Sequence, residues 1–237
     1  MQPAHPLRSL LSIIRVRRLL LVLFTYLLGV GLAHHLGIRL DFLNILLGLL
    51  LCACLVEMQV FLSAYYDHPN SPWTQLHRED SEFVALKQVK LAQLLQTALL
   101  ILTAGAVFTV ILIIRRAFSP SALLLVGIAF LLCFFSAVPP IRFEKKGYEE
   151  LAAAFLTANL IPSLGFILAG AEWHVLLVML TLPLTLIYLA MEIALSFETF
   201  GHDLSLGTNR SISTRLGWKT AMLLHNLLIL GAFLLVG

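Results

Sequence analysis

The sequence predicts an all-α membrane protein of about seven transmembrane helices, and three observations carry that reading. Apolar residues make up 59% of the 237 positions and charged residues only 12%, about half the charged share of a soluble domain. Mean hydropathy is +0.93. Seven apolar runs are each long enough to cross about 30 Å of hydrocarbon at about 1.5 Å per helical residue.

The runs follow in order. Leu19–Leu36 has Arg15, Arg17 and Arg18 before it and no small-residue cleavage site, so it reads as a span rather than a removable signal. Phe42–Tyr66 is the second. Phe83–Ile114 is too long for one flat span, so its first part is expected to rise from an interfacial stretch. Ala122–Val138 ends at Pro139 and Pro140, which stop a helix because neither has an N–H and their rings crowd the preceding turn. Leu151–Gly170, Val175–Phe197 and Leu216–Val236 complete the set. No repeat or separate soluble domain is evident, so residues 1–237 read as one bundle.

Basic residues set the expected orientation. Thirteen of the 16 lysines and arginines fall on the side of the amino terminus, leaving only Arg39, Arg115 and Arg116 opposite. This excess places the amino terminus in the cytoplasm. The net charge of +3 reflects these basic loops; it suits an anionic leaflet and is no sign of a nucleic-acid partner. Cys52, Cys54 and Cys133 lie within spans and read as small buried apolar residues.

Polar residues gather in the loops on the amino-terminal side. One runs from Ser63 through Asp67 to Asp80, and another from Glu198 through Asp203 to Gly217. Between them, Arg142, Lys145 and Lys146 follow the double proline. Acids and bases ringing one mouth of an apolar bundle suit a lipid diphosphate. Mg²⁺ takes carboxylates and phosphate oxygens, arginine and lysine neutralise the remaining charge, and the dry interior takes the tail. The simpler readings stay open. Asp67 also fits a turn or cap ahead of Pro69, Glu198 and Asp203 fit a solvated loop, and the basic cluster fits an ordinary cytoplasmic loop. Glu57 and Glu192 fall inside spans, where a charge is costly. They are expected to face the bundle interior and to be paired or protonated, as functional groups or as polar contacts between helices.

Three segments resemble the UbiA-type intramembrane prenyltransferases. After its second span that family carries Asn-x-x-x-Asp-x-x-x-Asp; here the stretch from Ser63 through Asp67 to Ser71 keeps the middle aspartate, and Arg78 stands where an arginine usually follows. After the fourth span it carries Tyr-Ser-x-Pro-Pro-x-Arg-x-Lys and then Gly, close to the segment from Phe135 through Pro139, Pro140 and Arg142 to Gly147. After the sixth it carries Asp-x-x-x-Asp-x-x-x-Gly; here Asp203 and Gly207 match its second half, Thr199 takes the place of the first aspartate, and Glu198 stands beside it. The resemblance covers roughly residues 13–237. Members usually have nine spans, against seven here.

The resemblance implies a UbiA-like helical bundle that binds a polyprenyl diphosphate through Mg²⁺. Asp67, Glu198 and Asp203 would hold the metal, and Arg78, Arg142, Lys145 and Lys146 the diphosphate. The implied activity is prenyl transfer to an aromatic, quinone-precursor or tetrapyrrole acceptor in the cell membrane. The thinned acidic motifs keep an alternative open: a non-catalytic subunit that binds isoprenoid, quinone or pigment within a larger membrane complex. A small transporter has little support, because neither a discontinuous helix nor an inverted repeat is evident.

Overall fold

The computed structural model describes residues 16–68, 89–143, 146–205 and 211–236, with the backbone alone at 199 and 202–205. Among the described residues, seven helices are long and apolar enough to cross a membrane. They are α1 (Val16–His35), α2 (Phe42–Asp67), α3 (Leu91–Ile114), α4 (Pro120–Ala137), α5 (Glu149–Leu168), α6 (Val175–Ser205) and α8 (Trp218–Val236); a short α7 (Ile212–Leu216) precedes the last. All described regular structure is helical, so most backbone polar groups within a span are satisfied inside that span, as hydrocarbon requires.

α5 is the hub. Its span is 78% buried, against 11% for α8. It opens as an α-helix over Glu149–Phe155, loosens into one π-turn over Leu156–Leu160 and resumes over Ile161–Leu168. Pro162 accounts for the change, because it cannot donate to the preceding turn and its ring presses on the carbonyl four residues back. The Ile161 N–H accordingly reaches the Leu156 carbonyl. α1 crosses α5 backbone to backbone. A Cβ on Gly29 would strike the Pro162 carbonyl, and one on Gly165 would strike the Tyr26 carbonyl. With no hydrophobic drive between helices in lipid, such close approach through small residues supplies the packing. Tyr26, Leu51, Leu112, Leu160, Leu164 and Phe166 fill the core around this crossing.

Side-chain contacts tie each end of the bundle. At one end Asp41 caps α2, accepting from the Leu43 and Asn44 N–H groups at 3.0 and 3.3 Å. Arg115, which closes α3, donates to Asp41 at 2.8 Å and to Asn44 at 2.6 Å. One of the three basic residues on the sparsely charged side is thus an acid's partner. The other end, here the motif end, carries the starts of α1 and α5, the finish of α2 and the double-proline loop.

Two element boundaries depart from the sequence reading. α6 continues past Phe197 to Ser205, so Glu198 and the backbone of Asp203 are helical and not in a loop. The third span begins at Leu91; residues 83–88, with Arg78 and Lys145, lie outside the described residues.

Candidate ligand site at the motif end

Asp67 is the last residue of α2. His68 follows, buried, with Nε2 at 2.9 Å from the Val89 carbonyl. That contact fixes the finish of α2 against the approach to α3. Facing it, the chain leaves α4 through a cis Pro139–Pro140 bond, and Arg142 takes a left-handed backbone conformation with φ 40°. Non-glycine residues seldom sit there, and when they do the conformation often serves a site. Here it turns the Arg142 side chain back onto α2. Nη2 donates to Asp67 Oδ1 at 2.9 Å, and the guanidinium lies 5.8 Å from the centre of the Tyr66 ring. The Arg142 side chain is 9% exposed. Its Nε is buried and has no partner among the described residues, which leaves one charged donor unspent.

The double-proline loop is braced from the far side. Gly147 takes φ +69°, and a Cβ there would crowd Arg215 Cδ and Cγ. Arg215 uses that room to donate to the Lys146 carbonyl at 2.8 Å and to lie 4.6 Å from the Tyr148 ring centre. Glu150 accepts from the Ile212 N–H at 3.1 Å. The segment after α6 and the loop after α4 are therefore one connected layer.

Beneath this layer the bundle holds a cavity of about 470 Å³, within the size range of small-molecule sites. Its apolar wall includes Leu21, Val22, Val56, Leu132, Leu156 and Leu195. Its polar groups come from five helices: Arg17 and Arg18 on α1, Gln59 on α2, Ser136 on α4, Glu149 and Thr157 on α5, and Tyr188 and Glu192 on α6. Arg18 Nη2 pairs with Glu149 Oε1 at 3.0 Å. Tyr188, one turn before Glu192, lines the same cavity as Glu192 and Thr157.

The two intramembrane acids both face inward. Glu192 lines the cavity and Glu57 is buried in α2. Asp67 and Arg142 come together. Glu198 and Lys146 are exposed, and Glu198, six positions after Glu192, sits about 120° round the helix from it. Position 203, eleven beyond Glu192, returns by register to the Glu192 side; its side chain lies outside the description. Arg17, Arg18, Gln59, Glu149 and Tyr188 were not singled out from sequence as ligand-binding groups. One signal was available for Gln59, a lone amide deep in an apolar span.

No family model and no curated protein matches the sequence. Solved structures do. The structure of a UbiA homologue from Archaeoglobus fulgidus bound to DMAPP and Mg²⁺ superposes with a TM-score of 0.69 at 16% identity, covering 98% of this chain and 76% of that one. This chain has the UbiA fold. The same archaeal homologue bound to GPP and Mg²⁺ matches at 0.69, again with 16% identity, covering 92% of this chain and 74% of that one. A further structure of it matches at 0.67 and 16%, covering 92% and 73%. The UbiA-like bundle expected from the three motif segments is thus borne out by the whole backbone. The chain is an integral multi-pass membrane protein.

Mg²⁺ needs several oxygen ligands at once. The described residues place one acid of the two motifs, Asp67, against a partner side chain, and that partner is Arg142. Among the described residues no group of three metal-ligating side chains comes together. The described side chains alone do not make a Mg²⁺ site.

Proposed function

We propose that this UbiA-fold chain binds an isoprenyl diphosphate and transfers its prenyl group to an acceptor held in the same cavity. The observation that carries the reading is the spare cationic donor of Arg142, set at the motif end of a bundle whose cavity carries Arg17 and Arg18. The archaeal UbiA homologue with the same fold binds DMAPP and GPP, which supports a diphosphate as the ligand. The motif end faces the cytoplasm of the cell membrane in this reading, as the basic residues imply.

Each group then has a task. Arg142 shifts from Asp67 to the diphosphate, where a guanidinium matches two phosphate oxygens at once. Arg78, Lys145 and Lys146 add charge around the head. As the allylic C–O bond breaks, the electron pair leaves with the diphosphate, and these cations stabilise it. The allylic cation forms against the leucine and valine wall, where excluded water cannot quench it. An acceptor carbon, from an aromatic, quinone-precursor or tetrapyrrole compound, closes the new bond and then loses its proton. Asp67, Asp203 and Glu198 remain the proposed acids for Mg²⁺, which when bound would add charge stabilisation at the leaving diphosphate.

A second reading is favoured by one observation. Asp67 already has Arg142 as its partner, and serine stands at positions 63 and 71, where the resemblance leads one to expect further metal ligands. A non-catalytic protein that binds isoprenoid, quinone or pigment, alone or within a larger membrane complex, would need the arginines and the cavity but not the metal. Purified protein in nanodiscs, given labelled prenyl diphosphates of several lengths and candidate acceptors, separates the two. Product release supports transfer. Saturable binding of the donor with no turnover on any acceptor supports the binding protein.

A further inference from the structure

α8 has two long faces, and only one meets the other described residues. Ala221, His225, Leu228 and Ala232, spaced four, three and four, turn towards α6: Ala221 and Leu228 pack with Leu189 and Ile193, and His225 Nδ1 lies 2.9 Å from the Ala190 carbonyl. About a third of a turn round the helix, Met222, Asn226, Leu230 and Phe233 form a second stripe, and all four are exposed. Asn226 stands about 12 Å along a helix about 28 Å long, close to mid-membrane. Among the described residues no group bonds its carboxamide. Acyl chains offer an amide neither donor nor acceptor, so such a side chain facing lipid is costly, and asparagine in this setting promotes helix association.

We propose that this stripe is a self-association surface, on which a second copy of the chain docks α8 against α8 with the two Asn226 carboxamides bonded to each other. Symmetry and chemistry select that occupant. Every copy inserts in the same sense, so a twofold axis must lie along the membrane normal, and it brings both Asn226 residues to one depth. A carboxamide carries donors and an acceptor, so it complements itself. Met222 and Leu230 flank it one turn either way and Phe233 two turns on, giving an apolar seam around a single polar residue. That is the arrangement by which one asparagine fixes register between helices.

The test uses the full chain in bilayers at high lipid-to-protein ratio, counting subunits by single-molecule photobleaching. Wild type is expected to dimerise reversibly. Asn226→Leu is expected to weaken dimerisation about three- to thirtyfold, while Asn226→Gln, which keeps the amide, retains most of it. Asn226→Cys is expected to cross-link to its own copy under mild oxidation, whereas wild type, whose Cys52 and Cys133 are buried and Cys54 half-buried, does not. Melting temperatures near wild type check that each variant folds. A wild type that is monomeric at every density overturns the proposal, including a monomer in which another protein or a further helix covers α8. So does an Asn226→Leu variant that dimerises as strongly as wild type, or a loss of dimer in that variant which Asn226→Gln shares.

Discussion

Arg142 reaches Asp67 at 2.9 Å across 75 positions of sequence, joining the finish of α2 to the double-proline loop. The pair is unevenly exposed, 9% for the arginine side chain and 38% for the aspartate. Solvent screens the acid more than the base, so the more expensive group to strand is the arginine.

That asymmetry gives the first expectation. Asp67→Asn keeps the shape of the site but removes the charge that offsets Arg142. It is expected to lower stability by about 1 kcal/mol, measured as thermal unfolding in detergent. Arg142→Ala is expected to weaken isoprenyl diphosphate binding about tenfold or more, because a charge-assisted phosphate contact is lost. Equal binding in wild type and Arg142→Ala would remove this arginine from the site.

The glycine crossing of α1 and α5 is testable without any ligand. Gly29→Leu and Gly165→Leu each force the two backbones apart. They are expected to cost about 3 kcal/mol or more, or to leave no monodisperse protein. Gly31 sits in the same helix with open space around it, and Gly31→Ala is expected to be neutral or stabilising by up to about 1 kcal/mol. Similar melting points for Gly29→Leu and Gly31→Ala would contradict the packing described.

The all-helical membrane bundle was legible because hydropathy and span length alone decide it. The double-proline loop was legible because proline and cationic residues mark a span end in a single short segment. The length of α6 was not. Hydropathy ends at Phe197, but no proline follows, so the backbone stays helical through polar residues to Ser205. The cavity's polar lining was not legible either. Arg18, Gln59, Tyr188 and the α5 pair Glu149 and Thr157 come from four helices, and only the rotation of each helix about its axis turns them inward.

At the opposite end, Asp41 offers a pH test. Desolvation pushes its carboxyl up more than any single partner shifts it. The Asn44 N–H, the Arg115 guanidinium and the Leu43 N–H outweigh that and hold it below its ordinary value. A group lowered in the folded state contributes stability that is present above its unfolded value, about 4, and is lost as pH falls through the folded value. Melting temperature is therefore expected to decline as pH falls below about 4. Asp41→Asn still caps the helix but should flatten that part of the decline. An unchanged profile in Asp41→Asn would place the acid sensitivity elsewhere.

The cavity expectation concerns Glu192. Glu192→Leu replaces an inward acid with an apolar side chain of similar reach. It is expected to leave folding intact and to change which acceptors or headgroups bind, read by ligand-induced shifts in melting temperature across a panel. If no ligand's shift differs from wild type, Glu192 is a helix contact and not part of the ligand wall.

The most direct test of the account is single-turnover prenyl transfer by the purified chain in nanodiscs, comparing wild type with Asp67→Ala, with and without a Mg²⁺ chelator. The account expects labelled prenyl product from wild type, and its loss both in Asp67→Ala and on chelation. No product from wild type with any donor or acceptor, while the donor still binds and Asp67→Ala binds it equally well, would contradict prenyl transfer and leave a UbiA-fold binding protein.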